Sequence, residues 1–90
     1  MKILYSEQSV KDLKDFIAPE RTLVAKKIEY LAENFDILKN TKKIRELKGT
    51  QFDRQYRYII ARKIRAIFRI ENGNLVLLIL RIAKRKDVYE

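Results

Sequence analysis

The sequence predicts an α+β domain of two layers, a small and mainly antiparallel sheet packed by an N-terminal helical pair in the order β-α-α-β-β-β. Three observations carry this. Val24, Ile28, Leu31 and Phe35 fall at the i, i+4, i+7, i+11 spacing of one helix face. Ile64, Ala66, Phe68 and Ile70 alternate with Lys63, Arg65, Arg69 and Glu71 at the period of two that puts a strand's apolar residues on one side. Asn72-Gly73 between two such runs is a strong hairpin signal, because a type I′ turn needs positive φ at both central residues. A helical pair followed by three consecutive strands indicates segregated layers rather than alternating βαβ units.

Taken in order, Lys2 to Tyr5 reads as a short first strand. Ser6 or Ser9 can cap a helix after it, since Ser9-Val10-Lys11-Asp12 has the hydroxyl and carboxylate that satisfy unpaired N–H groups in a capping box, and Val10, Leu13 and Ile17 would be its apolar face. Pro19 fits the first turn of a second helix, so residues 6 to 35 form the pair. Residues 36 to 55 are polar without a sustained period and read as a loop, with at most one helical turn near Ile44. Three strands follow: Tyr56 to Ala61, Lys63 to Glu71 and Leu75 to Ile82. A two-residue Asn72-Gly73 loop would set Arg65 opposite Leu80 and bring the residues after Ile82 beside Arg62, Lys63 and Arg65. The nearly unbroken apolar run Leu75 to Leu80 argues for a central strand covered on both faces.

Ninety residues make one domain, 1–90, and 47% apolar residues with two Gly and one Pro describe an ordered chain despite 37% charged residues. Without Cys there is no disulfide, thiolate nucleophile or cysteine-ligated zinc, as suits a reducing cytosol. Without His the usual general base and the commonest metal ligand are missing, so chemistry here must rest on Arg, Lys, Tyr, Asp or Glu without a cofactor or metal cage. No apolar run is long enough to span a bilayer, and the expected location is the cytoplasm. Glycine-rich phosphate loops, paired catalytic carboxylates and repeats do not occur.

The net charge is +9, and the excess is local, because residues 39 to 69 hold 11 basic and 2 acidic side chains. Such clustering speeds encounter with polyanions and gains affinity by counterion release, so the expected partner is nucleic acid or an acidic protein segment. The last strand runs into Arg81-Ile82-Ala83-Lys84-Arg85-Lys86-Asp87-Val88-Tyr89, which sets cations and a phenol where one phosphate could meet them.

Leu47-Lys48-Gly49, Ile64-Arg65-Ala66-Ile67-Phe68 and the Arg81 to Tyr89 tail, together with the element order, resemble the RelE/ParE toxin superfamily of type II toxin–antitoxin systems, and more narrowly its RelE-like branch. The resemblance implies a metal-independent, ribosome-dependent mRNA endoribonuclease (mRNA interferase) that inhibits translation and is silenced by an antitoxin protein. It matches Arg65 and Arg85 to active-site arginines and Tyr89 to a functional tyrosine. Arg65 would clamp the non-bridging phosphate oxygens, and Arg85 would stabilise or protonate the leaving oxygen. Tyr89 would stack on a base or take the 2′-OH proton, which requires cations such as Lys84, Arg85 and Lys86 to lower a phenol pKa normally about 10. Lys48, Arg54, Arg57, Arg62, Lys63, Arg81, Lys84 and Lys86 would follow the RNA backbone. The antitoxin would present an acidic or amphipathic segment, docked in a groove or added as a strand. The chain departs from the family pattern at Ala61-Arg62-Lys63, where many relatives have a glycine-acidic turn, at Lys84 in place of His, and near Ile59, where a second basic residue is usual. The alternative is a ParE-like inhibitor of DNA gyrase without nuclease activity, a branch that generally lacks the Arg-Lys-Asp-Val-Tyr ending. A third reading is a basic RNA-binding protein without catalysis.

Overall fold

The computed structural model describes residues 1–49 and 54–84. Its elements are β1 (Lys2–Tyr5), α1 (Glu7–Lys14), α2 (Ala18–Leu38), β2 (Ile44–Glu46), β3 (Gln55–Ala61), β4 (Ile64–Glu71) and β5 (Val76–Lys84). The strands form one sheet in the order β1-β5-β4-β3-β2, antiparallel except for the parallel β1·β5 pair. The α+β class and two-layer packing are those the sequence predicts, with one strand added.

That strand is β2, where a loop or helical turn was expected. Ile44 is buried and pairs with Tyr58, which fixes an extended conformation that three residues cannot announce by periodicity. The helical stripe is as read: Val24, Ile28, Leu31 and Phe35 are all buried, and the helix runs on to Leu38 through a kink at Asn34. Phe35 meets Tyr56 and Phe68 edge-on at 5.8 and 6.0 Å, while Tyr56 and Phe68, directly opposite each other on β3 and β4, stack at 5.3 Å. Offset and edge-to-face contacts of this kind add about 1 kcal/mol each beyond area burial.

The first helix keeps only part of its expected face: Leu13 packs against the core, but Val10 is exposed, as is Ile17 beyond the helix, and the buried positions of α1 are Ser9 and Asp12. The cap is Ser6, whose Oγ accepts from the Ser9 N–H at 3.0 Å. The cause is the edge of β5. The β1 pairing ends at Tyr5↔Ile79, and beyond it Ser6 Oγ donates to the Leu80 carbonyl at 2.9 Å while Asp12 Oδ2 accepts the Ile82 N–H at 2.9 Å. The helix thus satisfies backbone groups that a longer β1 would have paired, and for that its buried face is polar.

The β4–β5 turn is centred one residue later than predicted. Leu75 N–H donates to Asn72 O, so Gly73 and Asn74, at φ 61° and 71°, are the central residues and Glu71 pairs with Val76. A bulge follows, since Phe68 faces Ile79 but Ile67 faces Arg81. Arg65 therefore lies opposite Ala83, not Leu80. The tail-ward end of β5 still arrives beside the start of β4, with Lys84 opposite Ile64. The face of β4 turned away from the helices is also covered, where Ile67 and Ala83 are buried with Leu47 and Leu80 packed against them.

Candidate nucleic-acid interface

The β3–β4 turn, Arg62-Lys63, projects two exposed cations at one end of the sheet, and the exposed Lys84 comes in opposite Ile64 at the same end. Antiparallel pairing on both sides of β4 forces this convergence. Arg65 sits just below it, with Ile59 on one side and Ala83 on the other, on the face away from the helices. It is only 7% exposed, which removes it from the class of solvated strand arginines. Its Nη1 donates to the carbonyls of Ala61 at 2.6 Å, Arg62 at 3.1 Å and Ile64 at 3.2 Å. The guanidinium is thereby anchored to the turn that carries Arg62 and Lys63.

Arg57 lies on the same face one row further along, opposite Ile67 of β4 and Arg45 of β2. Its Nε is buried and has no hydrogen-bond partner among the described residues. Arg81 is held differently: its Nε donates to Asp12 Oδ2 at 2.9 Å and its Nη2 to Asp12 Oδ1 at 3.4 Å, which makes it part of the α1–β5 seam. Gln8 Nε2 donates to Asp12 Oδ1 at 3.0 Å. Burial alone would push the Asp12 carboxyl up, but the hydrogen bonds from Arg81, Ile82 and Gln8 and the Arg81 charge hold it below the usual carboxylate range.

Lys48 and Arg54 flank the β2–β3 connection, at the opposite end of β3 from Arg62. Six strand steps separate Gln55 from Ala61, roughly 20 Å, so these two cations do not join the cluster. Arg85, Lys86 and Tyr89 lie outside the described residues. Of the described tyrosines, burial pushes the phenols of Tyr5 and Tyr58 up, aided by Glu29 and Tyr30 respectively, so neither is prepared to act as a base near neutral pH. Among the described residues no group of carboxylates could hold a metal ion, and no helix is long and apolar enough to cross a membrane. Two important side chains escaped the sequence reading. Asp12 resembled a helix-capping carboxylate, and Arg45 stood in a stretch taken for a loop.

Fold and surface together describe a small basic α+β protein with Arg62, Lys63 and Lys84 at one end of its sheet and Arg45, Arg57 and Arg65 on the face away from the helices. Residues 3–89 match the family described as the ParE toxin of type II toxin–antitoxin systems, parDE, and the chain belongs to that family, within the RelE/ParE superfamily. It is a type II toxin.

No curated protein matches the chain. Among solved structures it is similar to the toxin in the RelB–RelE antitoxin–toxin complex from Methanococcus jannaschii, at 26% identity and a TM-score of 0.68, with 96% of this chain and 94% of that one covered. It is similar also to the archaeal RelE–RelB complex from Pyrococcus horikoshii OT3, at 19% identity and a TM-score of 0.71, with 97% of each chain covered. The YoeB/ParE toxin from Agrobacterium tumefaciens aligns at 20% identity and a TM-score of 0.69, over 94% of this chain and 99% of that one.

Proposed function

We propose that this toxin is a metal-independent endoribonuclease that cuts mRNA on translating ribosomes in the cytoplasm. The observation that supports the reading best is the convergence of Arg62, Lys63 and Arg65 with Lys84, the residue from which the chain continues to Arg85 and Tyr89. The reaction joins a ribose 2′-oxygen to the adjacent phosphorus and breaks the bond from phosphorus to the 5′-oxygen, giving a 2′,3′-cyclic phosphate and a 5′-hydroxyl. Three tasks follow: removing the 2′-OH proton, stabilising the dianionic phosphorane and returning a proton to the leaving oxygen. An arginine fork suits the second, because two parallel N–H donors match two phosphate oxygens. In this scheme Arg65 binds the non-bridging oxygens and Arg85 the leaving oxygen. Tyr89 stacks on a base or accepts the proton, and the exposed cations hold flanking phosphates. The partner that silences it is an antitoxin with an acidic or amphipathic segment, as suggested by the toxin–antitoxin complexes among its structural relatives.

The matched family is described by ParE, and this favours a second reading, gyrase inhibition without cleavage. One experiment separates them. The toxin is induced briefly in bacteria beside an Arg65→Ala, Arg85→Ala double variant, and mRNA 5′ ends, protein synthesis and growth are followed. Rapid arrest with new 5′ ends inside translated frames, absent from the variant, is the expected result. Arrest without new ends transfers the reading to gyrase, and growth without arrest leaves a basic RNA-binding domain.

A further inference from the structure

Arg45 and Arg57 are directly opposite each other on β2 and β3. Residues opposite in an antiparallel pair share a face with Cβ atoms roughly 5 Å apart, and like charges so placed destabilise the pair. Their neighbours Ile44 and Tyr58 turn into the helical core, so both arginines stand on the other face. Among the described residues neither is in an ion pair, while Arg69 on the same face is matched by Glu71 at 2.8 Å. The Arg57 Nε is buried without an acceptor among the described residues, a costly state for a charged group. A repulsive pair with one unsatisfied donor is the arrangement of a site prepared for an anion.

The position gives the anion's class. Arg57 is opposite Ile67, two residues along β4 from Arg65, a diagonal of roughly 7 Å, a spacing that neighbouring phosphates of one strand can bridge. Arg45 extends the row outward across the edge strand. On β3 itself the next residue on this face is Ile59, which offers no charge. We infer that Arg45 and Arg57 form a phosphate-binding pair for a single nucleic-acid strand, in which the edge strand β2 supplies one cation and β3 the other. The inference builds on the nuclease reading, in that the phosphate bound here neighbours the one at Arg65. Binding itself requires no cleavage.

The test uses the whole toxin and a single-stranded oligodeoxynucleotide, which has no 2′-OH and cannot be cut by 2′-oxygen attack. Affinity is measured against salt concentration for the wild type, Arg45→Gln and Arg69→Gln. Each lost phosphate contact lowers the slope of log K against log salt by about 0.7 for a single strand. The expected result is a slope reduced by about that amount in Arg45→Gln and unchanged in Arg69→Gln, whose guanidinium is already committed to Glu71. Arg45 is exposed, so its variant folds, and because repulsion is relieved its Tm rises by about 2 to 4 °C. An unchanged slope in Arg45→Gln, an equal fall in both variants, or a wild type that binds no strand overturns the pair. Strand binding with the expected slopes but no mRNA cleavage in cells leaves the pair standing and removes the nuclease reading; cleavage with unchanged slopes does the reverse.

Discussion

Asp12 shows how one side chain can hold two elements together. It is 8% exposed and accepts from the Arg81 guanidinium, the Ile82 N–H and Gln8. Asp12→Ala would leave the Ile82 N–H and part of Arg81 without acceptors, at a cost of about 2 to 4 kcal/mol, read as a fall in urea midpoint. The pH dependence has a definite sign. Because the folded carboxyl is held below its unfolded value, its contribution is complete above about pH 4 and is lost as the pH falls through the lowered value. The acid limb of the wild-type stability curve is therefore steeper than that of Asp12→Asn, and parallel limbs would refute the role. Arg65 calls for a paired measurement. Its Nη1 anchors three carbonyls of the β3–β4 turn, so Arg65→Ala lowers stability by about 1 to 3 kcal/mol whatever it does to toxicity. Lys84→Ala, exposed, stays within about 0.5 kcal/mol of the wild type while weakening strand binding. Toxicity lost from Arg65→Ala has a chemical meaning only where the urea midpoint shows the variant still folded.

At the scale of elements, what was legible in the sequence is what repeats. The α2 stripe and the β4 alternation each span enough residues for the period to be unambiguous, and both hold in the fold. The β2 strand, three residues long, is specified by its partner β3. The expected α1 face holds at Leu13 but not at Val10 or Ile17, because the buried Ser9 and Asp12 serve the Ser6 cap and the β5 backbone, a demand that no apolar pattern records. The β5 bulge falls within Leu75 to Leu80, where every residue is apolar and a change of face leaves no trace. The candidate site divides the same way. The meeting of Lys84 with Arg62, Lys63 and Arg65 follows from hairpin connectivity and survives the register error, whereas the binding of Arg81 by Asp12 and the distance to Lys48 and Arg54 depend on tertiary placement. The β4–β5 turn offers its own test. Gly73 has φ 61°, and a Cβ there meets no atom within 4 Å beyond its two chain neighbours. Gly73→Ala therefore carries only the conformational cost of the left-handed region, about 1 kcal/mol, with amide signals of β4 and β5 outside the turn unmoved. A loss several times larger, or shifts spreading along both strands, would mean that the turn sets the register as well as closing it.

Over the whole molecule, the distribution of charge opposes folding and favours association. The chain carries a net +9, and among the described residues the ion pairs are Lys39–Asp36, Arg69–Glu71 and Arg81–Asp12. The first two are exposed or half-exposed and worth at most about 1 kcal/mol each, too little to offset the repulsion of 11 basic against 2 acidic side chains between residues 39 and 69. Salt screens this repulsion over a Debye length of about 30 Å at 0.01 M and about 10 Å at 0.1 M, distances comparable with the 33 × 27 × 25 Å extent of the protein. Two quantities should consequently move in opposite directions as sodium chloride is raised over that range: the Tm of the free toxin rises, and its affinity for a single-stranded polyanion falls. Adding the polyanion at low salt stabilises the fold by mass action, in proportion to the logarithm of its concentration above Kd. If instead the free toxin lost stability with salt, its ion pairs would outweigh the repulsion and the basic surface would be internally balanced. A rise in Tm on adding either salt or polyanion, with the second effect abolished by the first, is what a surface whose charge is completed only by a bound polyanion requires.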